Sequence, residues 1–375
     1  MTLIIFLIIL SVLVLVHEFG HFIVAKKLGI RVEEFGLGIP PRLFGKKVGE
    51  TLYSLNLLPF GGFVKVTGED STEGIDTVAD PRSFASKTPG QRAMVLAAGV
   101  FMNMILAVVV FYVVLFFSNF HTQYIPTIFD YKFKFGTEHT VGTVVGAVMD
   151  GSAAAKSGIL VGDAVLDIDG VVVSDVKDLR AALVGKLGQE VAVRLRNVRT
   201  DTEGAVRVVK ITPQSDKDGH VILGVYLTKA VSIDYSQPRQ KVFAGFLHAY
   251  NVLDFSVSSL GKIISMSFKE RSMDAVSQSV SGPVGIYELV GGLIKYGGSR
   301  VVLSLLDFIG IMSVSLAFIN ILPLPALDGG RILFVGIEKL LGKPLSPRFE
   351  ATLHRIGFIL LLGLLVLVTI KDIAH

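Results

Sequence analysis

Two histidines and a glutamate lie close together near the start of the chain, in the order His17-Glu18-Phe19-Gly20-His21. On an α-helix of about 3.6 residues per turn, His17 and His21 lie one turn apart on the same face, so both imidazoles can reach one ion. Glu18 then stands beside that ion, where a carboxylate can take a proton from a bound water. The pattern is typical of a hydrolytic metal centre with two histidine ligands and a glutamate base.

A third ligand must come from elsewhere in the chain. A catalytic zinc takes three protein ligands and keeps its fourth position for water. Since the chain has no cysteine, the third ligand has to be a histidine or a carboxylate. Our candidate is Asp328, in the stretch Asn320-Ile321-Leu322-Pro323-Leu324-Pro325-Ala326-Leu327-Asp328-Gly329-Gly330. We therefore expect one Zn²⁺ per chain, held by His17, His21 and Asp328.

Asn320, in the same stretch, is a candidate for positioning the substrate. Its amide could donate a hydrogen bond to a developing oxyanion or hold the substrate backbone. The alternative is an amide that caps or packs a helix.

The histidine motif lies in a long apolar stretch, which indicates a membrane helix. About half of the residues are hydrophobic, 51%, and ionisable groups in a membrane helix are kept mainly where they face a partner or a cavity. The net charge is only +4, and the basic residues lie in loops beside apolar runs. That distribution favours contact with a lipid bilayer and no nucleic acid. Four transmembrane helices are predicted, at residues 1–25, 91–118, 301–330 and 354–371.

The distribution of basic residues predicts the orientation. The loop 26–90 is rich in Lys and Arg, so the positive-inside rule places it in the cytoplasm and the N-terminus outside. The first helix is too long for a signal peptide, and its basic residues follow it, so we expect it to be retained. Residues 239–298 are amphipathic with a Gly-rich end and are predicted to be interfacial helices, since one more span would reverse every later segment.

Within the basic loop, residues 51–66 predict a membrane-associated β-hairpin that turns at Pro59-Phe60-Gly61-Gly62. A helical substrate hides its carbonyls in its own hydrogen bonds and must be unwound before it can be cut. The edge formed by Gly61, Gly62 and Phe63 could hold the unwound segment by main-chain hydrogen bonds. An ordinary surface hairpin is the alternative.

The second apolar run is interrupted by a single amide, Asn103. An amide in lipid needs a hydrogen-bond partner, so we expect Asn103 to tie two helices together, with a direct catalytic role as the alternative.

Residues 140–230 have the composition of a water-exposed domain. Their order is strand, short helix, Gly-Asp turn, two strands, helix and strands, with strands predicted at 142–148, 164–169, 171–173, 190–196 and 206–212, and helices at 152–158 and 175–184. This order resembles a bacterial PDZ domain, through Ser157-Gly158-Ile159-Leu160-Val161-Gly162-Asp163 and Ile168-Asp169-Gly170. Such a domain binds peptides by strand addition or shields an entrance; a module without a ligand is the alternative.

Together these motifs resemble the bacterial site-2 protease family, of the type that cleaves membrane-anchored anti-sigma factors. The resemblance covers nearly the whole chain and rests on His17 to His21, Leu58 to Lys65, the PDZ module, Ser281 to Ile286 and Asn320 to Gly329. It implies a protease of the bacterial inner membrane that cuts a single-pass membrane protein after a site-1 type protease has trimmed it outside. In that regulated intramembrane proteolysis, the PDZ domain acts as a size filter. The predicted orientation places His17, His21 and Asp328 at a similar depth near the cytoplasmic ends of their spans, so we expect the active site to lie toward the cytoplasm.

The chain departs from the family pattern at two points. It has Gly99-Val100 where relatives usually have Gly-Pro, and one PDZ module where the best-known members carry two. A catalytically silent membrane scaffold or peptide receptor with a PDZ domain stays open as an alternative function. So does a soluble-type zinc enzyme on a membrane anchor, which would take a His or Glu as its third ligand.

Overall fold

The computed structural model describes residues 1–69, 80–127, 129, 131–149, 151–160, 162–197, 206–215, 219–270, 281–296, 298–343 and 345–374. The α-helices are α1 (Thr2–Lys27), α2 (Pro89–Phe117), α3 (Ala153–Lys156), α4 (Val176–Leu183), α5 (Pro238–Glu270), α6 (Pro283–Tyr296), α7 (Val301–Ile321), α8 (Asp328–Leu341) and α9 (Pro347–Ala374). The strands are β1 (Val32–Val48), β2 (Thr51–Val66), β3 (Ile125–Thr127), β4 (Thr137–Val148), β5 (Asp163–Ile168), β6 (Val171–Val172), β7 (Val191–Asn197), β8 (Val206–Ile211), β9 (Gln214–Ser215), β10 (Val221–Ile222) and β11 (Val225–Asp234).

Four of the described helices are long and apolar enough to cross a membrane: α1, α2, α7 and α9. They correspond to the four predicted spans. Neither α5 nor α6, which cover most of 239–298, is among these four. The chain forms two compact units. One comprises residues 1–111, 248–292 and 305–375, and the other residues 112–247 and 293–304.

In the first unit, α1 and α2 pack closely because Gly20 has no side chain. A Cβ on Gly20 would lie 2.3 Å from the carbonyl oxygen of Ala98, and small residues allow such close approach of two membrane helices. At the end of α1, Ala25 and Ile30 are buried in a cluster that also contains Val95. These contacts fix the face of α1 that carries the histidines against α2.

The prediction that the two halves of residues 51–66 pair with each other as a hairpin is wrong. Residues 51–66 form one long strand, β2, which pairs with β1, and the turn between them lies at residues 49–50. Residues 34–37 have Cα partners on both sides, in residues 52–55 and in residues 62–65. The two halves of the predicted hairpin therefore flank β1 instead of pairing with each other.

The third predicted span, 301–330, consists of a helix and the proline-containing stretch that follows it. The helix α7 ends at Ile321, and Pro323 and Pro325 follow, where proline lacks the N–H of a helical ladder and restricts the preceding residue. A short irregular segment leads to α8, which begins at Asp328. Asp328 therefore lies in the first turn of a new helix.

The second unit is built on an antiparallel sheet in the order β3-β11-β4-β5-β7-β8, with β6 paired to β5. Its core contains Val145, Ile159, Val165, Leu183, Val193 and Leu195. The side chain of Asp175 caps α4 by accepting hydrogen bonds from the N–H groups of Lys177 and Asp178. All five strands and both helices predicted between residues 142 and 212 are present, and β4 begins at Thr137, earlier than predicted.

A further contact accounts for the glycines of the Ser281-Gly282-Pro283-Val284-Gly285 motif. The carboxylate of Asp372, in the last turns of α9, accepts hydrogen bonds from the N–H groups of Gly282 and Gly285, at 2.8 and 2.9 Å. A Cβ on Gly282 would lie 2.9 Å from the same Asp372 oxygen. The start of α6 is thus capped by a side chain of α9.

Candidate metal centre

The three predicted ligands meet at one point of the first unit. The Nε2 atoms of His17 and His21 lie 3.2 Å apart. The Oδ2 atom of Asp328 lies 3.0 Å from Nε2 of His17 and 3.4 Å from Nε2 of His21. Thus α1 supplies two donor atoms and the first turn of α8 supplies the third.

This triangle fits a tetrahedral zinc ion. With bonds of about 2.0–2.1 Å to nitrogen and oxygen, neighbouring ligand atoms of a tetrahedral zinc are about 3.3 Å apart. The three observed separations, 3.0, 3.2 and 3.4 Å, lie around that value. Among the described residues, none gives the buried Oδ2 of Asp328 a well-formed hydrogen bond. Two imidazoles and one carboxylate could therefore hold the ion and leave one position open.

Both imidazoles are anchored through their far nitrogens. The Nδ1 atom of His21 donates to the main-chain oxygen of Val95 at 2.8 Å. The side-chain amide nitrogen of Asn103 lies 3.2 Å from Nδ1 of His17. The amide of Asn103 thus joins α2 to α1, and its main-chain oxygen separately accepts a hydrogen bond from Ser313 of α7 at 2.8 Å. Its contact with a candidate ligand was not predicted.

A cavity of about 490 Å³ opens beside the ligands. Glu18 lines it next to the candidate metal ligands, so a carboxylate faces the same space as the proposed ion. Phe63 and Val64 of β2 also line it. The cavity is therefore bounded on one side by the helix with the ligands and on another by the β1–β2 ribbon.

The predicted substrate-positioning residues differ in their distance from this cavity. A Cβ on Gly62 would lie 3.9 Å from Cγ of Glu18. Gly61 has a φ of +78°, and among the described residues only Ile39 comes within 4 Å of a Cβ built there. Asn320 is half-buried in the last turn of α7. It is not among the described residues that line the cavity. Phe63 therefore lines the cavity and Gly62 lies beside Glu18, and the substrate-positioning roles of all four residues remain predictions.

One cavity residue, His354 of α9, is a histidine for which the sequence indicates no partner. Its Nδ1 atom accepts a hydrogen bond from the N–H of Ala326 at 2.9 Å. Ala326 has a φ of +76°, in the left-handed region that only glycine adopts easily. His354 thus holds the turn that leads into Asp328. This contact joins residues far apart in the chain, so no local pattern could reveal it.

Charged residues surround the same turn. Arg331, in α8, forms an ion pair with Glu69, and both line the cavity. Glu338, further along α8, is buried and pairs with Arg92 of α2. Glu338 is therefore engaged by an arginine and does not compete with Asp328 as a ligand.

Four apolar helices and a centre of two histidines and one aspartate beside a glutamate define a membrane-embedded metal-dependent hydrolase. The model of peptidase family M50 matches residues 5–364. The chain belongs to this family, the site-2 protease family, and is a zinc metalloprotease.

Bacterial relatives match over almost their full length. A putative zinc metalloprotease of Clostridium perfringens is 37% identical, covering 97% of this chain and 96% of the relative. A putative zinc metalloprotease of Clostridium acetobutylicum is 31% identical, covering 97% and 95%. The zinc metalloprotease RasP of Geobacillus kaustophilus is 28% identical, covering 98% and 96%.

A crystal structure of the PDZ domain of the SdrC-like protein of Listeria monocytogenes is also similar to part of the chain. It is 23% identical and covers 23% of this chain and 86% of that domain, with a TM-score of 0.20. A TM-score this low does not establish a common fold.

Proposed function

We propose that this zinc metalloprotease is an intramembrane endopeptidase that cuts a peptide bond within or near the transmembrane segment of a single-pass membrane protein. His17, His21 and Asp328 hold one zinc ion, and Glu18 is the catalytic base. The observation that carries the proposal is the convergence of the three donor atoms and Glu18 at one cavity, with two ligands on a helix apolar enough to cross a membrane.

The chemistry requires a base next to the bound water. When bound, the zinc ion supplies a water of lowered pKa and polarises the scissile carbonyl. The Glu18 carboxylate takes the proton of the attacking water and passes it to the leaving amine. The arrangement of Glu18 and the ligands on one helix keeps the base at a fixed distance from the ligand atoms.

The substrate must present an extended backbone to this site. Residues 62–65 pair with residues 34–37 on one side, and a substrate segment added to the other side would lie along the cavity. Main-chain hydrogen bonds of this kind recognise a peptide with little regard to its sequence. Gly61, Gly62 and Phe63 are the residues we assign to this role, with Asn320 as a further donor to the substrate.

The substrate class follows from the family resemblance. We infer a single-pass regulator such as an anti-sigma factor, trimmed beforehand by a site-1 type protease. The basic loop 26–90 lies in the cytoplasm in this proposal. The N-terminus and the β-rich second unit, as a PDZ domain, lie outside the cytoplasm.

The test is Glu18→Gln in the full-length protein in detergent. We expect zinc content to stay near one per chain and cleavage of a single-pass model substrate to fall at least about 100-fold, as for loss of a general base. Glu190→Gln, in an exposed ion pair with Lys210, is the matched control and should cleave at the wild-type rate.

Cleavage by Glu18→Gln at the wild-type rate would overturn the proposal. Absence of zinc from the wild-type protein would instead support the catalytically silent scaffold or peptide receptor.

A further inference from the structure

One face of α2 contacts both candidate histidine ligands. Val95, Gly99 and Asn103 are spaced four residues apart, so they lie on the same side of the helix. Val95 and Asn103 contact the imidazoles of α1. Gly99 lies beside the same rings, so any side chain there would touch them. This face of α2 therefore forms one wall of the metal centre.

Gly99 leaves the space that the two rings occupy. A Cβ at this position would lie 2.5 Å from Nε2 of His21 and 2.7 Å from Nε2 of His17. These are the same two nitrogens that face Asp328. Since each ring is also held at its Nδ1 atom, neither can withdraw without losing a hydrogen bond. Glycine is therefore needed at residue 99 for both ligand atoms to stay in place.

Val95 fixes the proton of His21. A main-chain oxygen only accepts hydrogen bonds, so Nδ1 of His21 must carry the proton in the contact of 2.8 Å. In a neutral imidazole the other nitrogen, Nε2, then has a free lone pair. That lone pair points to His17 and Asp328, as an ion would require.

Asn103 can hold the imidazole proton of His17 on Nδ1 in the same way. Its side chain is completely buried, and its Oδ1 atom receives no hydrogen bond from the described residues. Its Nδ2 atom lies against Nδ1 of His17 at 3.2 Å. If Nδ2 donated a hydrogen bond to Nδ1 of His17, Nδ1 would be the unprotonated nitrogen of the neutral imidazole. The proton would then be on Nε2, which is the atom that must bind the ion. A half-turn of the amide places Oδ1 there instead, and Oδ1 can accept from a protonated Nδ1.

We propose that this face of α2 is the outer shell of the zinc centre. In the zinc-bound protein, the amide oxygen of Asn103 accepts the Nδ1 proton of His17, the carbonyl of Val95 accepts that of His21, and Gly99 gives both rings room. The three are positioning residues, because they act through the ligands. The inference rests on the proposed zinc site and assigns how its ligands are oriented.

The test is zinc affinity, measured by competition with a chromophoric chelator on the full-length protein in detergent. Loss of a hydrogen-bond partner behind a ligand typically costs about 10–100-fold in metal affinity, and we expect this for Asn103→Leu. Asn103→Asp keeps an oxygen but has no N–H, so it should bind zinc as tightly as the wild type or more tightly. A donor role for Asn103 predicts the opposite, with Asn103→Asp at least as weak as Asn103→Leu.

Ser313→Ala is the matched control, because it removes a hydrogen bond to the main chain of Asn103 without touching His17. It should bind zinc as the wild type does, while thermal unfolding of the zinc-free variants reports on packing. If Asn103→Leu does not fold, Asn103→Asp alone separates the two roles of the amide.

Three results would overturn the inference. Wild-type affinity in Asn103→Leu would show that zinc binding does not need the amide. Weakened affinity in Asn103→Asp would indicate a donor role if Ser313→Ala binds as the wild type, and packing only if Ser313→Ala is weakened as well. Absence of zinc from the wild-type protein would overturn the proposed site itself, together with this inference.

Discussion

At the scale of single residues, the site depends on which atoms of a side chain are available. The spacing of His17 and His21 and the absence of cysteine were enough to predict the ligand types, because helix geometry and metal preference are local rules. The partners behind the ligands were not predictable in this way. Val95 contributes only its main-chain oxygen, and His354 acts on a turn far away in the chain.

Asp328 is the ligand whose assignment is easiest to test at this scale. We expect Asp328→Ala to retain far less than one zinc per chain, because two imidazoles alone leave the ion with too few protein ligands. Metal analysis after dialysis measures this. Asp169→Ala, which removes an exposed ion pair with Lys186, should keep the wild-type zinc content.

Full zinc content in Asp328→Ala would favour the soluble-type zinc enzyme, whose third ligand is a His or Glu elsewhere. The separations of 3.0 and 3.4 Å from Asp328 to the two histidines argue for Asp328.

At the scale of elements, the β1–β2 ribbon shows that a sequence pattern can predict a strand without predicting its pairing partner. Alternating apolar residues predicted strands within 51–66, and a strand is present there. The pairing was wrong because register is decided by a partner strand from another part of the chain, here residues 34–37. The end of α7 at Ile321, by contrast, follows from the nearby Pro323 and Pro325, since the effect of proline on a helix is local.

The ribbon also yields a prediction about substrate access. Gly62→Val would place methyl groups between β2 and Glu18, where a Cβ already lies 3.9 Å from Glu18 Cγ and 3.0 Å from the oxygen of Gly36. We expect cleavage to fall at least about tenfold, because small displacements of a substrate from the reacting groups cost much of the rate. Zinc affinity should be unchanged, since no ligand is touched.

Gly90→Ala is the control for the ribbon variant, because no atom of the described residues lies within 4 Å of a Cβ at residue 90. Wild-type cleavage by Gly62→Val would show that substrate does not pass between β2 and Glu18.

At the scale of the whole molecule, hydropathy predicted four membrane spans, and the described residues contain four helices long and apolar enough to cross a membrane at these places. Hydropathy does not predict which side of the membrane each loop faces, because that orientation depends on the bilayer and on how the chain is inserted. The positive-inside rule predicts that the ribbon faces the cytoplasm and the sheet of the second unit faces outward.

Single cysteines test this orientation cleanly, because the chain has none of its own. Lys47→Cys, on the exposed part of β1, should react with a membrane-impermeant maleimide only after the cells are opened. Glu190→Cys, exposed in the second unit, should react in intact spheroplasts. Labelling of both residues from the same side, or in the reverse pattern, would contradict the proposed orientation.

The contact between Asp372 and the start of α6 has a consequence for how this chain can change over evolutionary time. Since the carboxylate accepts from the N–H groups of both Gly282 and Gly285, and a Cβ on Gly282 would press against it, a substitution at one end of this contact changes which residues fit at the other. A residue larger than glycine at position 282 fits only if the residue at position 372 has a shorter side chain or one that no longer accepts these hydrogen bonds. We therefore expect the two positions to be substituted together in a lineage, although 90 residues separate them.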